Sequence, residues 1–283
     1  MRLHFTKMHG CGNDYIYFDC FDRETAEKIL KDPSGLAMRL SNRHFSIGGD
    51  GIVLICPSDV ADAKMRMFNI DGSEGKMCGN AIRCVGKYLH DVRGIEKSNL
   101  TVETLSGIKS LDLVIEDGKT VFVSVDMGAP ILEGKLIPTL FEGLVVGKTL
   151  NIAGDEYEIT CVSMGNPHCV VFIDDINSIE LEKTGPLFEN NSVFPERVNT
   201  EFIKVIDKNN LEMRVWERGS GETFACGTGA CAACVAAVLN GFCRKGEEVK
   251  IKLLGGDLFV TYFDNRVIMK GGAEIAFEGI VDI

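Results

Sequence analysis

The chain has 283 residues, 45% apolar and 25% charged, with a formal net charge of −11. That size supports a sizeable core in one large domain or two lobes, and the even composition excludes a low-complexity or disordered chain. An acidic chain with no dense Lys/Arg run is a poor partner for nucleic acid or an anionic membrane.

The opening stretch "MRLHFTKMHGCGND" lacks the apolar core of a secretion signal. The longest apolar run, "ACAACVAAVL" at 230–239, is about half the roughly 20 residues of a membrane span. A soluble, cytoplasmic protein is expected. Eleven cysteines in such a chain favour free thiols over a disulfide framework.

In chain order, a helix is predicted near 35–43, opened by Ser34 after Pro33. Strand-like runs follow at 63–69, then a helix after Cys78, then strands at 101–105, 110–117 and 120–127. Further strands are predicted at 156–164 and 168–175, a helix around 178–190, and strands at 200–207 and 211–217. A helix after Cys226 and strands at 248–254 and 257–263 complete the pattern. Turns such as "EDGK", "DKNN" and "FDNR" separate several strands by two to five residues, so the sheets should be largely antiparallel. The helix after Cys226 has no charged residue over sixteen positions and should be buried, with strands wrapped around it.

Two weak internal matches recur in order. "GNDYIYFD" (12–19) resembles "GNPHCVVFID" (165–174), and "DGSEGKMCGN" (71–80) resembles "RGSGETFACGT" (218–228), at offsets of 153 and 148 residues. They predict two similar lobes facing across a cleft that holds the site. Each lobe would carry a Gly-Asn loop and a Gly-rich turn leading into Cys-Gly and a helix. A cysteine at a helix N-terminus has a larger thiolate fraction, and the exposed N–H groups there bind an anion. One thiolate and one thiol on opposite faces of a carbon centre suit its inversion: one removes a proton while the other delivers one, and the roles swap with direction.

Other readings compete for the same residues. Cys226, Cys231 and Cys234 have ferredoxin-like spacing, but the only later cysteine is Cys243, and no second CxxC completes a zinc site. His168 reads equally as a satisfied loop histidine. Glu217 with Arg218 reads as a surface pair, and Asn13, Asn69, Asn166 and Asn199 as turn or cap residues. "IGGDG" (47–51) lacks the Lys-Ser/Thr of a P-loop.

The stretches "KMHGCGNDY" (7–15), "FNIDGSEGKMCGNAIRC" (68–84), "SMGNPHCV" (163–170), "FPERVN" (194–199) and "ERGSGETFACGTGACA" (217–232) resemble the diaminopimelate epimerase family. The resemblance implies an α+β fold of two pseudo-symmetric lobes, each a mainly antiparallel β-barrel around a central helix. The expected division is 1–127, completed by a C-terminal strand at about 272–283, and 128–271. It implies interconversion of LL- and meso-diaminopimelate by two acid/base cysteines, Cys78 and Cys226, without pyridoxal phosphate or metal. His168 and Glu217 match residues that tune them. Gly79, Asn80, Gly227 and Thr228 match the cradle of the reacting carboxylate. Asn13, Asn69, Asn166, Asn199, Glu217 and Arg218 match residues that hold the rest of the substrate. A homodimer is implied. Gly51 stands where some members carry Gln, Ala81 where Gly is frequent, and Leu254 where Pro is common. The alternative is another cysteine-pair racemase, such as a proline or hydroxyproline epimerase; Asn80, rather than His, after Cys78-Gly79 argues against it.

Overall fold

The structure, a computed structural model, describes residues 2–283. The chain divides into two compact units. The first runs to Val125 and resumes over Gly271–Ile283, and the second spans Asp126–Lys270.

In the first unit, β1 (Arg2–Gly10) and β2 (Asn13–Asp19) form a hairpin. Its two loop residues, Cys11 and Gly12, have φ of 54° and 79°, as a type I′ turn requires. Two short helices, α1 (Arg23–Ile29) and α2 (Pro33–Leu40), lead to β3 (Gly51–Cys56), which lies parallel to β2. Aspartates cap both helices: Asp22 accepts from the Thr25 N–H and Asp32 from the Gly35 N–H. β4 (Ala63–Asn69) pairs antiparallel with β3, and the two-residue β5 (Glu74–Gly75) folds back on β4. After α3 (Gly79–Asp91), β6 (Asn99–Thr104) lies parallel to β4, and β7 (Gly107–Glu116) and β8 (Lys119–Gly128) continue antiparallel.

The second unit repeats this pattern. β9 (Lys148–Ile152) pairs with β10 (Asp155–Ser163), and β10 forms a hairpin with β11 (Pro167–Phe172). The helix α4 (Leu181–Glu189) leads to β12 (Asn199–Asp207), parallel to β11. β13 (Asn210–Glu217) is antiparallel to β12 and is followed by the two-residue β14 (Gly221–Glu222). After α5 (Gly227–Leu239), β15 (Glu248–Leu253) lies parallel to β13 and β16 (Gly256–Tyr262) pairs antiparallel with it. β17 (Val267–Gly271) follows, and β18 (Glu274–Asp282) pairs antiparallel with β1.

This is the expected α+β architecture, with each unit's strands packed about one helix. α5 touches β10, β11, β12, β15 and β16, and nearly every residue of it is buried. That burial is the consequence of a segment with no charged side chain. α3 packs on β1, β2 and β7, but it does carry buried polar groups, each with a partner. Arg83 donates to Gly79 O (3.1 Å) and Gly272 O (3.2 Å), and Lys87 to Thr120 O (2.6 Å) and Asp91 (2.8 Å). Predicted strands fall on β4, β6–β8, β10–β13, β15 and β16 within a few residues. The C-terminal strand expected at about 272–283 is β18. The prediction lacked α1, β1 to β3, β5, β9, β14 and β17, and the four parallel pairings. Among the described residues no helix is long and apolar enough to cross a membrane.

Candidate active site

The equivalent frames of the two units can be aligned from their strand registers. In the second unit, His168 on β11 pairs with Asn199 on β12, and Glu217 is the next position on β13 after the Thr200–Trp216 pair. In the first unit the same row reads Tyr15, Gly51 and Asn69. Asn13 starts β2 and Asn166 immediately precedes the equivalent strand β11, and Cys78 and Cys226 cap the equivalent helices α3 and α5, each 13 residues long. Both cysteines have extended backbones, with φ of −133° and −117°, as N-cap residues do.

The two sulfurs are held differently. In the first unit, the Cys78 thiol donates to Asn13 Oδ1 at 3.3 Å. The amide of Asn13 is set by Asp50, whose Oδ2 accepts from Asn13 Nδ2 at 2.6 Å. Asp50 is in turn gripped by Arg43 (2.8 Å), which also reaches Asp14 (2.5 Å), and the buried Lys7 pairs with Asp14 at 2.6 Å. Burial raises the Asp14 carboxyl, but Arg43 and Lys7 outweigh it and hold it below the usual carboxylate range. Asn69 is bonded to its own turn, through Ser73 Oγ at 3.0 Å.

In the second unit, Cys226 Sγ accepts the N–H of Gly229 at 3.3 Å and lies 3.5 Å from Thr228 Oγ1. The Thr228 hydroxyl accepts from Asn166 Nδ2 (3.3 Å), and Asn166 Oδ1 lies 3.0 Å from His168 Nε2. Glu217 accepts from the Thr223 hydroxyl at 2.5 Å. Asn199 donates to Pro167 O (2.7 Å) and accepts the N–H of Arg218 (3.0 Å), while the Arg218 guanidinium spends one of its five N–H donors on Glu196 O (2.8 Å). The second unit therefore joins Cys226, Thr228, Asn166 and His168 in one chain, with Glu217 next to His168 and Asn199 in the row.

Burial, then the carboxylates of Glu217 and Glu201, push the Cys226 thiol well above its ordinary value. Burial also raises the Glu217 carboxyl, against the Thr223 bond and the nearby His168. The first N–H groups of a helix lie outside its own hydrogen-bond ladder and favour an anion, and Gly79, Asn80, Gly227 and Thr228 occupy the first positions of α3 and α5. Cys231 and Cys234 lie within α5, fully buried; burial pushes Cys234 up to about 12, and its thiol donates to Val260 O. Among the described residues no group of three or more His, Cys, Asp or Glu side chains could hold a metal ion.

Gly51 is a matter of space. A Cβ there would lie 2.0 Å from Phe68 O and 2.9 Å from the Tyr15 ring. A side chain at this position would need a different backbone.

Sequence reasoning did not single out Asp50, Glu189 or Glu201. Glu189 accepts from Trp216 Nε1 (2.7 Å), the Gly219 N–H (3.0 Å) and Arg197 (3.0 Å), and so props the "ERGSG" turn. A carboxylate inside the apolar strand run "TEFIKV" was the available signal for Glu201.

The fold is one that carries amino-acid epimerases. A hydroxyproline epimerase from Agrobacterium vitis superposes with a TM-score of 0.69 at 14% identity, over 99% of this chain and 91% of that one. A phenazine biosynthesis protein of the PhzF family from Bacillus anthracis gives 0.72 at 19% identity, over 100% of both chains. Within that class the sequence is more specific. The family model for diaminopimelate epimerase matches residues 5–133 and 160–276. The diaminopimelate epimerases of Methanococcus maripaludis and Acetivibrio thermocellus are each 52% identical over 284 aligned positions, covering 99% of this chain and at least 99% of theirs. The chain belongs to the diaminopimelate epimerase family and is an isomerase.

Proposed function

We propose that this chain interconverts LL- and meso-2,6-diaminopimelate, with Cys78 and Cys226 as its acid/base pair. The observation that carries the reading is the doubled frame: two cysteines capping equivalent helices in a chain of this family. One sulfur removes the α-hydrogen, and the electron pair left on carbon spreads into the α-carboxylate. The other sulfur delivers a proton to the opposite face. One C–H and one S–H bond break and one of each forms, so the reaction is redox-neutral and needs neither pyridoxal phosphate nor metal. The N–H groups of Gly79, Asn80, Gly227 and Thr228 stabilise the charge that develops on the carboxylate. His168 and Glu217 tune the Cys226 thiol.

Diaminopimelate carries an amino acid at each end. The distal carboxylate fits Arg218, whose guanidinium can grip it bidentately, and Asn13, Asn69, Asn166, Asn199 and Glu217 supply polar contacts to the rest. The reading extends to a cytoplasmic homodimer in lysine and peptidoglycan-precursor synthesis.

The test follows epimer composition and α-hydrogen exchange by NMR in deuterated buffer, with LL-diaminopimelate, proline and hydroxyproline as separate substrates. Diaminopimelate alone should epimerise. Turnover of a proline epimer with no turnover of diaminopimelate would refute the assignment.

A further inference from the structure

We propose that Glu201 is a positioning residue for this reaction: its buried carboxylate holds the Nδ1 hydrogen of His168 and so fixes the imidazole whose Nε2 side connects, through Asn166 and Thr228, to Cys226. The inference rests on the epimerase reading above.

Glu201 Oε1 lies 2.7 Å from His168 Nδ1, and both side chains are 0% exposed. The second oxygen, Oε2, is buried with no hydrogen-bond partner. A carboxylate so buried needs a hydrogen-bond donor against it. The imidazole Nδ1 hydrogen supplies one, and the ring's other nitrogen faces Asn166 Oδ1 at 3.0 Å. The carboxylate then has the geometric role that a buried acid has in a hydrolase triad: it sets which ring nitrogen holds a proton and where the other one points.

The carboxylate also sits against the first turn of α5, whose N-terminus favours negative charge. A Cβ on Gly229 would lie 2.6 Å from Glu201 Oε1 and 3.2 Å from Cys226 Sγ, so Gly229 is the space that the carboxylate occupies. The first unit supplies the contrast. At the 148-residue offset that relates Cys78 to Cys226, Glu201 corresponds to Val53 and Gly229 to Ala81. Where there is no carboxylate, the helix carries alanine. The device thus serves the Cys226 half only, where it fixes the ring that leads through Asn166 and Thr228 to the sulfur.

The test uses the full chain with Glu201→Gln and Glu201→Asp. The His168 ring is read by 15N NMR, assigned with His168→Gln, and kcat and KM are measured on diaminopimelate. In the wild type Nδ1 should carry a slowly exchanging hydrogen. Glu201→Gln should lose that state and drop kcat about tenfold or more, with KM within about threefold; Glu201→Asp, which keeps the charge, should recover part of both. A Glu201→Gln protein with the wild-type His168 spectrum, or with wild-type kcat, overturns the proposal. If Glu201→Gln does not fold, Glu201→Asp decides: wild-type kcat with the Nδ1 signal lost also overturns it. A wild type inactive on diaminopimelate would refute the function instead, while the spectra still decide whether the pair exists.

Discussion

Replacing Gly229 by alanine sets two effects of known sign against each other. Gly229 is the third residue of α5, where alanine in place of glycine favours a helix by up to about 1 kcal/mol. The added Cβ, however, would stand 2.6 Å from Glu201 Oε1 and 3.2 Å from the Cβ and Sγ of Cys226. Overpacking of this kind costs about 1–3 kcal/mol. The nearest atom ends a flexible side chain, but that side chain is fully buried and bonded to His168, so retreat separates a buried pair. The packing term wins, and Gly229→Ala should lose about 1–2 kcal/mol of stability in urea unfolding. Its kcat should fall about tenfold or more, because the carboxylate and Cys226 are both displaced. The helix should survive, since Ala81 occupies the equivalent position of α3. A Gly229→Ala protein at least as stable as the wild type and equally active would refute this reasoning.

The remaining expectations are narrower. Burial raises the Asp91 carboxyl, but its bonds to His90, Lys87 and Thr120 outweigh this and hold it at about 2, against an ordinary 3.8. A depressed carboxylate contributes stability above its unfolded value and loses it as pH falls through the folded one. The penalty of Asp91→Asn in urea unfolding should therefore be full at pH 7 and shrink between about pH 4 and about pH 2; an equal penalty at both ends would contradict this. Glu217 is among the charges that raise the Cys226 thiol. In Glu217→Gln the pH at which iodoacetamide half-labels Cys226, read by mass spectrometry, should move down, and an upward move would be the wrong sign. Cys231→Ala and Cys234→Ala should keep kcat within about threefold, since both thiols are core residues; loss of activity in a folded Cys231→Ala or Cys234→Ala protein would revive a shared role with Cys226.

The repeated frame was legible because "MCGNA" and "ACGTG" recur with their preceding Gly-rich turns, and these became β5 with α3 and β14 with α5. The buried helix was legible from its missing charges. The parallel pairings were not, because each joins strands separated by a crossover, through α1 and α2, α3, α4 or α5, and α1 is a seven-residue charged helix with one buried residue. In the site, cysteines, asparagines and the Glu-Arg pair could be named from motif and resemblance. Asp50 and Glu201 could not, because each acts through a partner distant in sequence: Asp50 on Asn13, and Glu201 on His168, 33 residues earlier. Gly51 shows the reverse limit. Its departure from some relatives was visible, but only the carbonyl of Phe68 explains why a side chain has no room.

The central claim, two cysteines acting on one α-carbon, is tested most directly by solvent hydrogen exchange. Wild type, Cys78→Ala and Cys226→Ala are each incubated with LL-diaminopimelate in deuterated buffer, and epimer composition and α-deuterium are followed together. The account predicts meso product carrying solvent deuterium at the inverted carbon with the wild type, and no epimerisation with either variant. Full epimerisation by a folded Cys78→Ala or Cys226→Ala protein would contradict it.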